Sequence, residues 1–243
     1  MNEIYGFVGQ MGSGKTYHAL KKAQEMKSIG RSVLLISWAD PIKQMIYDKF
    51  YMTKSGFQDG GQMKLLEKLD NECIDEILQS YFVELLSENH LPKCRSQLFK
   101  ACIHPYIDEI ENTLRGAALN HKDYNTCFRK LIQFIGTEIG RSINETLWID
   151  VVLNRIKIAF TNNVAQVAII DDIRFMNEFD GLKDFSFVNQ INCIIKAVTA
   201  SMEVRASRIN ATVQDLEMMS KHESEIEVLD ICRKLNKNDI IFN

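Results

Sequence analysis

Ile4-Tyr5-Gly6-Phe7-Val8-Gly9-Gln10-Met11-Gly12-Ser13-Gly14-Lys15-Thr16 is the stretch that decides the fold. Ile4–Val8 is an apolar run of strand type. Gly9–Thr16 fits G-x-x-x-x-G-K-[ST] in full, and Thr16–Met26 continues as a helix. Glycines let the backbone turn so tightly that successive N–H groups point at one anion. The helix that follows adds its positive end. A chance match has odds on the order of one in a hundred in such a chain, and the strand–loop–helix context lowers them. Gly9, Gly12, Ser13, Gly14, Lys15 and Thr16 are therefore expected to cradle ATP. Lys15 would serve the β- and γ-phosphates, and the Thr16 hydroxyl would serve Mg²⁺.

Working outward, four more strand-type runs appear: Ser32–Ser37, Val167–Ile170, Ile191–Val198 and Asp239–Phe242. Most are apolar throughout, as expected of strands buried on both faces of a parallel sheet. Helical segments separate them, which makes the chain an α/β protein. No glycine falls between Gly61 and Gly116, and Leu66, Leu69, Cys73, Ile77 and Tyr81 recur at three and four residues. Residues 51–125 therefore read as long helices, broken at Leu91-Pro92 and inserted into a single domain spanning 1–243.

The balance of 29 basic against 32 acidic residues gives a net charge of −3, which argues against a general polyanion binder such as a nucleic-acid protein. With 46% hydrophobic and 25% charged residues, the chain is expected to be soluble and globular. No apolar run reaches the ~18–20 residues of a membrane span, and Met1-Asn2-Glu3 lacks the basic start of a signal peptide. The six cysteines include no C-x-x-C pair, so reduced thiols in a cytoplasmic protein are expected.

A phosphate loop needs an acid at a neighbouring strand end, and Val167-Ala168-Ile169-Ile170-Asp171-Asp172 supplies two. Asp171 or Asp172 would serve the metal, Asp171 lying nearer the strand end. Other residues suggest a second anionic substrate. Asp40 and Lys43 follow the second strand, where a parallel sheet opens its crevice; helix capping by Asp40 before Pro41 is the plainer reading. At 100° per residue, Phe128, Ile132, Ile135 and Ile139 make a core stripe, and Arg129, Gln133, Gly136 and Gly140 make a second, flanked by Lys130, Thr137 and Arg141. Two glycines in a helix cost about 1 kcal/mol each against alanine. They would admit a ligand to the backbone beside Arg129, the alternative being a solvated helix face with a frayed end at Gly136. Arg174 opens the helix after the third strand, against the dipole, which suggests a pocket; an i,i+4 pair with Glu178 is the alternative. Arg205 and Arg208 share a helix face, which could close over transferring phosphates or be a plain charged surface face. Ser220–Glu223 has the form of a capping box.

The phosphate loop, Ala39-Asp40-Pro41-Ile42-Lys43, Gln133-Phe134-Ile135-Gly136-Thr137-Glu138, Trp148, Asp171-Asp172-Ile173-Arg174-Phe175-Met176-Asn177-Glu178 and His222-Glu223-Ser224-Glu225 occur in that order. Together they resemble the deoxynucleoside monophosphate kinases of tailed bacteriophages. The resemblance leaves out roughly residues 51–120. It implies the three-layer fold of the P-loop nucleoside monophosphate kinases, a five-stranded parallel sheet of order 2-3-1-4-5. It also implies transfer of a phosphoryl group from ATP, with Mg²⁺, to a deoxynucleoside 5′-monophosphate in the host cytoplasm. Arg129, Lys130, Gln133, Gly136, Thr137, Trp148 and Arg174 match segments that line the acceptor site in that family. No nucleic-acid or membrane partner is implied, and a homodimer is compatible with the sequence. The rival readings are a kinase of another small phosphorylated acceptor, a non-kinase NTPase and a nucleotide-binding module without turnover.

Overall fold

The computed structural model describes residues 1–53, 55–91, 96–119, 124–221 and 223–243. Along the chain run β1 (Glu3–Val8), α1 (Lys15–Ser28), β2 (Val33–Ile36), α2 (Asp40–Phe50), β3 (Met52–Thr53), β4 (Gly56–Phe57), α3 (Gly61–Leu66), α4 (Asn71–Glu88), α5 (Ser96–Ile103), α6 (Ile107–Leu119) and α7 (Tyr124–Gln133). A π-helix (Phe134–Gly140) leads into α8 (Arg141–Ile143) and α9 (Leu147–Thr161). Then come β5 (Val167–Ile173), α10 (Met176–Val188), β6 (Asn192–Thr199), α11 (Met202–Arg208), α12 (Val213–Met219), α13 (Glu223–Lys234) and β7 (Ile240–Phe242). The Leu91-Pro92 break and the Ser220–Glu223 box each include a residue outside the described set. The chain divides into two compact units, Met1–Trp38 with Val152–Asn243, and Ala39–Val151.

The first unit carries one five-stranded sheet of order β2-β5-β1-β6-β7, every neighbouring pair parallel. Counting only these five strands, the order is the expected 2-3-1-4-5. The apolar runs explain it: Ile4, Val8 and Val167 to Ile170 are all buried, as central parallel strands require. Phe7, Val167, Ile169 and Val198 pack against Ala19, Ala23 and Met26 of α1. Leu182 of α10 lies over Gly6 on the other face, so the sheet is covered on both sides. Among the described residues, no helix is long and apolar enough to cross a membrane.

The second unit, Ala39–Val151, contains the helical insertion. Its core includes Phe50, Met52, Leu78, Phe82, Ile110 and Ile135. The helical periodicity through residues 66–81 is interrupted between the end of α3 at Leu66 and the start of α4 at Asn71. Asp70 has extended backbone and its carboxylate accepts from Cys73 N at 2.7 Å, starting α4 afresh. The short hairpin β3–β4, which periodicity does not signal, pairs Met52 with Phe57. Tyr124 holds it, donating its hydroxyl to the Thr53 carbonyl and to the Gly56 carbonyl at 2.9 Å. Burial pushes the Tyr124 phenol up to about 12.

Candidate functional site

The loop after β1 has the backbone that its glycines permit. Gly12 and Gly14 have φ of 76° and 101°, and α1 begins directly after Gly14. Room is a second constraint: a Cβ at Gly12 would stand 2.6 Å from the Arg205 carbonyl oxygen. Lys15 is 7% exposed. Its ammonium donates to the Gly9 carbonyl and, at 3.2 Å, to that of Gln10. Burial holds its pKa below the usual lysine range, with Asp172, Glu225 and Asp171 pulling the other way.

Sheet order explains how Asp171 and Asp172 reach this loop. They stand near the end of β5, which pairs directly with β1, Val8 lying opposite Ile173. The Thr16 hydroxyl donates to Asp171 Oδ2 at 3.2 Å, and Lys15 Nζ lies 3.8 Å from Asp172 Oδ1. Asp171 thus meets the threonine, while Asp172 faces Lys15 and Arg174.

Arg174 lies between β5 and α10 rather than inside the helix. Its Nε donates to Asp172 Oδ1 at 2.7 Å, and its Nη1 stands 3.8 Å from Glu225 Oε1. Burial opposes its charge, but Asp172, Glu225 and Glu178 outweigh it and hold its pKa above the ordinary value. The alternative i,i+4 side-chain pair with Glu178 takes another form. The Glu178 carboxylate accepts the backbone N–H groups of Arg174 and Phe175, at 2.8 and 3.1 Å, and so starts α10.

Arg205 and Arg208 lie on α11, as expected, but they hold the back of the loop. Arg205 Nε donates to the Met11 carbonyl and Nη1 to Gln10 Oε1, each at 2.8 Å. Arg208 Nη1 donates to the carbonyls of Gly12 at 3.2 Å and Ser13 at 2.8 Å. The carbonyls of Met11, Gly12 and Ser13 need donors, and the two arginines supply them. Asn243 Nδ2 supplies another, 2.9 Å from the Ser13 carbonyl, while its Oδ1 lies 3.0 Å from His18 Nε2.

The remaining candidates belong to the second unit. Asp40 is the first residue of α2 instead of its N-cap, and its carboxylate pairs with Lys43 at 2.8 Å. Arg129, Lys130, Gln133 and Thr137 are exposed. Gly136 and Gly140 are buried, so the expected stripe divides. The reason is the π-helix, whose wider turn changes the phase after Gln133. The close approach that these glycines permit is to the chain's own side chains. A Cβ at Gly136 would meet Ile42 at 2.7 Å, and one at Gly140 would meet the Trp148 ring at 2.5 Å. Trp148 is 5% exposed and donates Nε1 to the Gly136 carbonyl at 2.7 Å.

Glu225, quoted in the resemblance without a role, has a place at the loop that sequence reasoning missed. It is 2% exposed and accepts the Met11 N–H at 3.2 and 3.0 Å. A glutamate in the first turn of a helix ordinarily reads as a partner of the helix dipole, which hides any other role. The site offers groups of the kinds that a phosphate and a magnesium ion take. Ser13 Oγ is buried in the loop and has no hydrogen-bond partner among the described residues. Thr16 Oγ1 and Asp171 Oδ2 are hard oxygen donors of the kind Mg²⁺ takes beside water and phosphate. Among the described residues no cluster of three or more His, Cys, Asp and Glu side chains could hold a metal by itself. No protein-family model matches the chain, and no curated protein matches it. The chain is an α/β protein with a five-stranded parallel sheet and a helical insertion.

Proposed function

We propose that the protein is a P-loop phosphotransferase that uses Mg-ATP to phosphorylate a deoxynucleoside 5′-monophosphate. The observation that carries this reading is the pairing of Thr16 with Asp171 beside Lys15, Asp172 and Arg174 at the ends of adjacent parallel strands. Hard oxygens for a metal and two cations for phosphate stand together there. The phosphate-acceptor class and the deoxyribose rest on the resemblance to the bacteriophage kinases.

Both substrates of such a reaction are anionic, so the protein acts by positioning and neutralising charge. Loop N–H groups and Lys15 hold the donor phosphates. Thr16 and Asp171 would hold Mg²⁺, which would supply neutralisation of phosphate charge. Arg174 suits an acceptor phosphate, with Asp172 and Glu225 fixing its direction. For Arg129, Lys130, Gln133 and Thr137 an acceptor role rests on the resemblance alone, whereas Trp148, Gly136 and Gly140 pack within their own unit. Arg205 and Arg208 shape the loop instead of closing over it. No general base is needed, since a phosphate monoester is largely a dianion about one unit above its second pKa of ~6.

The test is ADP release from Mg-ATP with each deoxy- and ribonucleoside monophosphate added singly. The expected result is turnover that depends on one or more deoxynucleotides. Lys15→Ala should lower kcat/KM by about 10²–10³-fold, the loss of one electrostatic stabiliser. Slow hydrolysis that no monophosphate stimulates would replace the kinase with a P-loop NTPase of another kind.

A further inference from the structure

Glu225 presents a problem that its surroundings answer. A carboxylate this deeply buried costs far more than it returns unless it is paired and hydrogen-bonded. Its partners come from three separate segments. Both oxygens face the Met11 N–H, at 3.2 and 3.0 Å. Oε2 lies 3.5 Å from Arg205 Nη2, and Oε1 lies 3.8 Å from Arg174 Nη1.

Each partner is in turn tied to the loop or to its acids. Arg205 spends its other donors on the Met11 carbonyl and on Gln10 Oε1. Arg174 spends Nε on Asp172, which faces Lys15. The peptide joining Gln10 to Met11 is gripped from both sides. Its N–H points at Glu225, and its carbonyl accepts from Ser13 N at 3.1 Å and from Lys15 Nζ at 3.2 Å. Turning that peptide over would press the Gln10 carbonyl oxygen against the Glu225 carboxylate. A negative charge at this position therefore selects one orientation of the peptide, and a neutral side chain of the same size would not.

We propose that Glu225 is a positioning residue of the phosphate loop, fixing the Gln10–Met11 peptide and holding Arg174 and Arg205 at the site through one shared charge. The nucleotide consequence rests on the ATP reading above; the loop consequence does not.

The test compares the full chain with Glu225→Gln, which keeps the shape and an acceptor for Met11 N–H but removes the charge. Two quantities are read: the Mg-ATP dissociation constant by calorimetry, and amide hydrogen exchange of peptides covering Gly9–Gly14 without nucleotide. Exchange in β1 and β5 serves as the internal reference for global opening. The expected result is Mg-ATP affinity weaker by about 10–100-fold, the worth of a hydrogen bond to a charged group. Loop exchange should quicken while the strands, once corrected for global stability, do not. A folded variant whose affinity or loop exchange matches the wild type overturns the proposal. If the wild type itself does not bind Mg-ATP, the ATP reading falls. Exchange alone then decides: acceleration confined to the loop supports Glu225, and its absence refutes it. Should circular dichroism show Glu225→Gln unfolded, Glu225→Asp takes its place, keeping the charge but shortening its reach. Faster loop exchange supports the proposal there too, and unchanged exchange overturns it.

Discussion

Trp148→Phe separates packing from ligand contact in the second unit. The resemblance to the phage kinases implies that Trp148 lines an acceptor site, whereas the structure buries it. Its Nε1 donates to the Gly136 carbonyl at 2.7 Å, and its ring lies 6.1 Å from that of Phe82 between centroids. Phenylalanine keeps an aromatic ring but cannot donate. A buried carbonyl that loses its donor costs about 1–3 kcal/mol. The missing part of the indole leaves space beside Gly140 and Phe82, which adds about 1 kcal/mol by analogy with large-to-small changes. The sum is about 2–4 kcal/mol. For a chain of this length that lowers Tm by roughly 4–16 °C. Thermal unfolding followed by circular dichroism measures it. At a temperature where the variant is folded, Mg-ATP affinity should be unchanged, because the phosphate loop belongs to the other compact unit. An unchanged Tm accompanied by a raised acceptor KM would refute the reasoning and return Trp148 to the acceptor site.

Two further outcomes follow from the first unit. Gly12→Ala and Gly30→Ala both force a side chain onto positive φ, at 76° and 81°, so each should lose about 1–2 kcal/mol to backbone strain. Gly30 has nothing within 4 Å, while Gly12 faces the Arg205 backbone, so Gly12→Ala should cost clearly more and also weaken ATP binding; equal denaturation midpoints would contradict the close approach. Glu3 accepts from Arg31 Nη1 at 2.7 Å, and that hydrogen bond holds its carboxyl below the ordinary range. A depressed acid contributes stability above its unfolded pKa and loses it as pH falls through the folded value. Glu3→Gln should therefore lower Tm near neutrality, with the gap closing in acid; a gap that persists at low pH would show that the pair is not its cause.

What the sequence could settle lies in contiguous stretches. Five apolar runs separated by helices, with the phosphate loop directly after the first, determine the α/β class and place Lys15 and Thr16, because a tight glycine turn is a local property of the backbone. The acids at the end of β5 were legible for the same reason, as an apolar run ending in Asp171 and Asp172. Which acid meets Thr16 was not, since that depends on how β5 lies against β1. Helical phase also misled where local geometry departed from 3.6 residues per turn: the π-helix after Gln133 buries Gly136 and Gly140 away from Arg129. The largest omissions were long-range. Arg205 and Arg208 read as mobile cations until tertiary structure set them against loop carbonyls 194 to 196 positions away. Glu225 has no local mark of its role, because its partner amide is 214 residues distant. A motif records the residues that build one turn of backbone; the groups that hold that turn in its working orientation come from wherever the chain returns, and folding alone brings them there.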